Sequence, residues 1–414
     1  MPLLFKRRLF GASVAATALL STGLVFAQAG QTVKIAFMDP LSGPFANVGQ
    51  NQLKSWQFTA EELSKKNSAG VKFEIVPFDN KGSPQESLNT LKAAIDQGIR
   101  YVTQGNGSGA AAAILDAVQK HNERNPGKEV VFLNYAAVDP ALTNERCSYW
   151  HFRLDADTSQ KMEALTSYMK EVPSVKNVYL ISQNYAHGQQ VNRYFKEIMA
   201  RKRPDVKIVG EDLHPLGQVK DFAPFVAKIK ASGADSIVTG NWGQDLTLLV
   251  KAAKDAGLNA AFYTYYAGVS GTPTALAAGV GGPVRVVSFG HNSLPDPIKR
   301  MQDEYKKRFN DDYYTYATYN GIQMLVEGIT RAKSTDPVKV AAAISGLKFR
   351  GFNGEVEMRK TDHQLLQPLF ITEWRKADAK NPYSVENTGW NFQSIREIPS
   401  FVAATPTSCQ MKRP

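Results

Sequence analysis

From Val33 onward, short runs rich in β-branched residues alternate with longer amphipathic stretches, and this alternation constrains the fold more than any other feature of the chain. Strands separated by helical crossovers build parallel sheets whose faces are covered by helices. The pattern predicts strands at Val33–Met38, Ile99–Thr103, Val130–Leu133, Val178–Ile181, Ser236–Val238 and Ala261–Tyr263, and a helix through Leu53, Trp56 and Phe58. Ahead of the second of these strands the local signals are complete. Ser83 is placed to cap a helix, Pro84 takes its first position and Glu86 closes a capping box. Leu88, Leu91 and Ile95 form its buried stripe, and Gly98 ends it.

The first residues bear on the compartment. Lys6, Arg7 and Arg8 precede an apolar run from Leu9 to Phe26, and Ala27 and Ala29 flank Gln28 in the small-x-small pattern of a cleavage site. Residues 1–29 are expected to be a cleaved secretory signal. Gly11, Ser13, Ser21, Thr22 and Gly23 interrupt the run, which argues against a membrane anchor, and no cysteine stands near the cleavage site to carry a lipid. Later stretches fall short of the ~20 apolar residues of a spanning helix. In an oxidising compartment the two cysteines, Cys147 and Cys409, read as one disulfide.

Without its signal the chain has roughly 385 residues, beyond the size at which one core keeps growing, so two α/β lobes are expected. The net charge of +11 includes three positive charges in the signal, and the rest, such as Lys196, Arg201 and Lys228, are scattered. Nucleic acid is not an expected partner, because the charge is gathered beside no recognisable binding motif.

Ligands of open α/β sheets sit at the carboxyl ends of strands, which directs attention to five loops. Gly105-Asn106-Gly107-Ser108-Gly109 stands between a strand and an Ala-rich helix. Its glycines allow close backbone approach, and the N–H groups of the helix start, together with the Ser108 hydroxyl, suit a small carboxylate. A plain turn that starts a helix is the competing reading. Gly105, Gly107 and Ala110 loosely match a dinucleotide fingerprint, but the loop follows a later strand than the first and the next strand ends in Asn134 without the expected acid. Ser108 is not the centre of a nucleophile elbow, since Asn106 and Ala110 occupy the glycine positions. The remaining loops are Tyr135-Ala136-Ala137-Val138, Asn184-Tyr185-Ala186-His187-Gly188, Asn241-Trp242-Gly243 and Tyr265-Tyr266-Ala267-Gly268. They bring aromatics to three successive strand ends, the composition of an aromatic cleft. His187 has no second His or Cys at metal-ligand spacing, and no metal, cofactor or catalytic group is expected.

With these loops in place the chain resembles the leucine/isoleucine/valine-binding proteins, the type I periplasmic binding proteins that serve ABC importers. The resemblance is carried by Leu41-Ser42-Gly43-Pro44, Gly107-Ser108, Ala136-Ala137, Asp139-Pro140-Ala141-Leu142-Thr143, Tyr185-Ala186-His187-Gly188, Ala256-Gly257-Leu258, Phe352-Asn353-Gly354 and Asp362-His363-Gln364. It implies a two-lobed α/β fold, each lobe a mostly parallel sheet flanked by helices, joined by three crossings near Leu154, Val287 and Val356. Residues 30–154 with 288–355 would form one lobe and residues 155–287 with 356–414 the other. It further implies a monomer in the periplasm that captures a branched-chain or related amino acid and delivers it to a membrane permease. The ligand carboxylate would meet Ser108, Ala136 and Val138, and Tyr185 or His187, Trp242 and Tyr266 would line the rest of the site. The family often places a hydroxyl where this chain has Val138, and its amine-binding Glu falls near Tyr266, where this chain has no acid. A buried ammonium needs a counter-charge, for which Asp157 and Asp245 are candidates. Without one, an aromatic or aliphatic carboxylate or an amide becomes the better ligand. A sensory ligand-binding domain of the same fold is the alternative to import.

Overall fold

The computed structural model describes Met1, residues 30–292 and residues 298–414. The expected signal peptide, apart from Met1, lies outside the described residues. Among them no helix is long and apolar enough to cross a membrane.

The alternation of strand and crossover is realised twice. The first half supplies β1 (Thr32–Asp39), α1 (Ala46–Lys65), β2 (Lys72–Asp79), α2 (Pro84–Asp96), β3 (Tyr101–Gln104), α3 (Ser108–Arg124), β4 (Val131–Asn134) and β5 (His151–Arg153). These strands form an all-parallel sheet in the order β2-β1-β3-β4-β5. Its central strands are buried on both faces, which explains why β4 reads as the unbroken run Val131-Phe132-Leu133-Asn134. The second lobe is built from α4 (Thr158–Met169), β6 (Asn177–Gln183), α5 (Ala186–Lys202), β7 (Lys207–His214), α6 (Ala223–Ala231), β8 (Ser236–Thr239), α7 (Gly243–Asp255), β9 (Ala261–Thr264), α8 (Thr272–Ala277) and β10 (Val284–Ser288). The chain then returns to the first lobe through α9 (Ile298–Phe309), α10 (Ala317–Ala332) and α11 (Pro337–Ile344). There α9 sets Tyr305 edge-on against Phe58 of α1 at 5.5 Å.

A small antiparallel sheet of β11 (Lys348–Gly351), β12 (Gly354–Met358) and β13 (Leu365–Leu366) follows. Then β14 (Leu369–Lys376) and β15 (Trp390–Ile398) add an antiparallel edge to the second sheet, ordered β15-β14-β10-β9-β8-β6-β7. The crossing expected near Val356 therefore falls elsewhere: Val356 lies inside β12, paired with Phe349, and the chain passes to the second sheet between β13 and β14. An antiparallel hairpin needs no crossover helix, so the strand–helix alternation carries no sign of it.

Local signals hold where the chemistry is local. Ser83 caps α2 by accepting from the Glu86 N–H at 3.4 Å, although the Glu86 side chain does not complete the box. Gly98 takes φ +75°, a left-handed conformation suited to the end of a helix. Asp157, not singled out for this role, makes a full capping box with Gln160 at the start of α4.

The tail leaves β15 through α12 (Ser400–Ala403), which packs on α4, and then runs back to the first lobe. Thr407 Oγ1 donates to Thr143 O at 2.7 Å, and the backbone N–H of Ser408 to Asn144 Oδ1 at 2.9 Å. Cys409 is bonded to Cys147, as expected, across a sequence separation of 262 residues. A loop of that length restricts the unfolded chain by about 5 kcal/mol in the chain-entropy treatment. Reduction, or a Cys147→Ser/Cys409→Ser double replacement, is expected to lower the melting temperature measured by calorimetry by several degrees; an unchanged value would show that the bridge does not constrain the unfolded state.

Candidate ligand-binding site

The carboxyl ends of β1, β3 and β4 face those of β6, β8 and β9. On the first lobe a single carboxylate shapes the glycine loop. Asp39, fully buried at the end of β1, accepts from the N–H groups of Gly105 (3.0 Å) and Asn106 (2.7 Å) and from the Tyr135 hydroxyl (2.6 Å). Burial pushes the Asp39 carboxyl up to about 7, against the pull of these donors. A Cβ on Gly105 would come within 2.6 Å of the Tyr135 ring, and Gly107 caps α3 at φ +91°, so each glycine is required by its surroundings. No side chain caps α3, which leaves the N–H groups around Ser108 open toward the cleft.

The next loop is arranged by Asn134, whose side-chain amide pairs with both the N–H and the C=O of Ala137 at 2.8 Å. The Val138 carbonyl accepts from the backbone and hydroxyl of Thr158. Ala136 and Val138 thereby line a cavity of about 40 Å³ together with Ser108. From the second lobe come Tyr185, Trp242 and Tyr266. The Trp242 indole N–H donates to the Tyr185 hydroxyl at 2.9 Å, and its ring stacks on Phe45 of the first lobe with centroids 4.2 Å apart. Beside them Asn47 Nδ2 donates to Ser270 O at 3.0 Å. The lobes touch here, and the cleft is closed.

Six of the seven expected ligand-binding residues thus surround one cavity. His187 is the exception. It lies behind the aromatic wall, its Nδ1 2.8 Å from the Thr158 hydroxyl and its ring edge-on to Tyr185, Tyr265 and Tyr266. Burial, aided by the charge of Lys161, lowers its imidazole to about 3 and keeps it neutral. Position two of α5 turns its side chain into the lobe, a direction that loop spacing alone does not reveal. Asp157 and Asp245 do not line the cavity either. Asp157 caps α4 and pairs with Arg153 at 2.9 Å, while Asp245 accepts from Gln183 Nε2 (2.7 Å) and from the Gly217 N–H (2.8 Å).

A second chamber of about 110 Å³ adjoins the first and shares Gln52, Ala136, Tyr266 and Val269 with it. Its polar wall was not foreseen. Lys161 Nζ lies 2.6 Å from Asp155 Oδ2, both residues 1 % exposed or less, and 3.3 Å from the Tyr266 hydroxyl. Burial raises the Asp155 carboxyl and lowers the Lys161 ammonium, and each charge holds the other in place. The only hint in the sequence is a lysine in an otherwise deeply buried helix, α4. Among the described residues no cluster of His, Cys, Asp and Glu could hold a metal ion.

The family whose model is described as "Periplasmic binding protein" matches residues 32–380. The chain belongs to that family, and within it to the Leu/Ile/Val-binding type. It is 32% identical over 417 residues to the "Leu/Ile/Val-binding protein homolog 4" of Brucella abortus (strain 2308), covering 97% of this chain and 98% of that relative. It is 22% identical to the "Leucine-, isoleucine-, valine-, threonine-, and alanine-binding protein" of Pseudomonas aeruginosa, with 85% and 92% covered. A structure of the so-named Brucella ovis protein in its closed conformation superposes with a TM-score of 0.82 at 29% identity, covering 93% of this chain and 100% of that one. At 21% identity, a solute-binding protein of an ABC transporter from R. palustris in complex with 4-hydroxybenzoate shares the fold with a TM-score of 0.75, over 89% of this chain and 97% of that one. This solute-binding protein thus has the type I architecture, two α/β lobes joined by three crossings, and its family is periplasmic.

The raised carboxyl of Asp39 has a consequence for stability. An acid whose folded pKa lies above its unfolded value stabilises the fold fully below about pH 4 and loses that contribution as pH rises toward about 7. Unfolding free energies from urea titrations are expected to fall by up to about 4 kcal/mol for the wild type relative to Asp39→Asn across this window. Parallel pH profiles for the two proteins would contradict it.

Proposed function

We propose that this protein is the substrate-binding component of an ABC importer, that it captures a small carboxylate-bearing solute between its lobes, and that a branched-chain or related amino acid is the first candidate. The observation that carries this reading is the uncapped start of α3 at Ser108, which lines a cavity together with Ala136 and Val138 and with Tyr185, Trp242 and Tyr266. Open N–H groups at a helix start favour an anion, and the aromatic wall favours an apolar body. The names of the relatives in Brucella and Pseudomonas support the amino-acid class. Hinge closure about the crossings would bury the solute and present the surface read by a membrane permease.

A second reading, an aromatic or aliphatic acid, is favoured by one feature: Asp157, paired with Arg153, and Asp245 line neither chamber, so neither offers an ammonium there its counter-charge. Calorimetric titration of the purified protein with leucine, valine, benzoate and 4-hydroxybenzoate separates the two. Ser108→Ala is expected to weaken the best of these by about 10- to 100-fold, roughly 1 to 3 kcal/mol for a hydrogen bond to a charged group. Equal affinity of variant and wild type would remove Ser108 as the anchor.

A further inference from the structure

The chamber beyond the Ser108 cavity has a polar end that the carboxylate anchor does not use. Asp155 lines it, fixed through Oδ2 by Lys161, while Asp155 Oδ1 is buried with no hydrogen-bond partner. The neighbouring Ala156 N–H acts on the carboxylate as a backbone donor that favours its charged form, but burial outweighs it. Thr315 Oγ1, also buried in this wall, has no partner either. With the Tyr314 hydroxyl these make three buried polar groups without a hydrogen-bond partner beside one chamber, and such groups carry the full penalty of desolvation until a partner arrives. The rest of the wall mixes apolar side chains, Val269, Val286, Phe289 and Phe392, with polar ones such as Ser288, Asp312 and Thr372, of which Asp312 is held by Lys306 and the Tyr383 hydroxyl.

We infer that this chamber reads the far end of the ligand, and that the ligand is a carboxylic acid bearing a hydrogen-bond donor, as hydroxyl, amide or ammonium, remote from its carboxylate. The inference rests on the docking of that carboxylate at Ser108. Ser108 lines only the smaller cavity and Asp155 only the larger, so a ligand that meets both spans the shared residues Ala136 and Tyr266. An α-ammonium stays within one carbon of its carboxylate and remains at the Ser108 end. The Asp155–Lys161 pair is neutral as a whole, and Lys161 is held by Asp155 Oδ2 and the Tyr266 hydroxyl, so a second carboxylate would meet Asp155 without a free cation to offset it. A purely aliphatic end would leave Asp155 Oδ1 unmatched. A site that holds a buried polar group for its ligand rejects the analogue lacking the complementary group.

The test is calorimetric titration of the full chain with matched pairs: benzoate against 4-hydroxybenzoate and 4-aminobenzoate, and hexanoate against 6-aminohexanoate and adipamate. The hydroxyl, ammonium and amide arms identify which donor is read. In at least one pair the donor-bearing member is expected to bind tenfold or more tightly, a preference typical of a hydrogen bond to a charged acceptor. Asp155→Leu/Lys161→Met, which removes both charges together and leaves neither unpaired, is expected to abolish the preference while retaining binding. Should that variant not fold, Asp155→Asn is read in the same way and is expected to reduce the preference. Ser108→Ala is expected to weaken both members of a pair alike and keep their ratio. Equal affinities within every pair, or a preference that survives loss of Asp155, would overturn the inference while leaving the Ser108 anchor standing. Absence of binding by every acid would overturn both.

Discussion

The guanidinium of Arg153, fully buried at the end of β5, is the interaction on which the rest of the molecule depends. It donates to Asp157 Oδ2 at 2.9 Å, to the Asp139 carbonyl and Gln364 Oε1 at 2.6 Å, and to the Thr143 hydroxyl. One cation thus ties the first crossing to the cap of α4, to the loop after β4 and to the segment that precedes the third crossing. Gln364 and Gln367 reinforce this from the other side by donating to the carbonyls of Asp155 (2.8 Å) and Leu154 (2.7 Å). A buried cation is tolerated because its donors are matched, and removing one partner from such a network typically costs about 3 to 5 kcal/mol. The position of Asp155, and with it the polar end of the larger chamber, follows from this arrangement.

On the opposite side of the cleft the lobes meet through a small apolar contact. Phe45 settles against Trp242, with Val48 and Val269 beside it. Gly217 makes this approach possible: a Cβ there would lie 3.0 Å from the Phe45 ring, and its φ of +67° suits glycine in any case. An aromatic pair of this kind contributes about 0.5 to 1.5 kcal/mol beyond its buried area. A contact of that size can shut the cleft and yet release it, as the proposed capture and delivery would both require.

Much of this was legible in the sequence because it is local. The strand–helix alternation gives β1, β3, β4, β6, β8 and β9, Ser83 and Gly98 mark the ends of α2, and glycine before a helix start marks the Ser108 loop. Six cleft residues could be placed for the same reason, since loops after parallel strands converge on one edge. What stayed hidden is set by partners distant in the chain. Asp39 looks like the last residue of a strand until Gly105 and Tyr135 fold over it. Asp245 looks free until Gln183 and Gly217 claim it. His187 belongs to the right loop but turns inward, because a helix advances about 100° per residue and the loop pattern carries no phase. The β14–β15 hairpin was unreadable for a different reason, as its pairing follows turn geometry and not crossover length.

The disulfide changes the topology of the molecule. Cys147 precedes β5 in the first lobe, and Cys409 returns there after β15 has completed the sheet of the second. Between them the backbone passes from lobe to lobe at all three crossings, and the tail makes a fourth passage sealed by sulfur. Residues 147–409 are therefore a covalent ring. A protease that cuts this ring once leaves both fragments on a single molecule, with each lobe still linked to the other. For a member of a periplasmic family, a single nick within the ring leaves the two lobes covalently joined for as long as the sulfurs stay bonded.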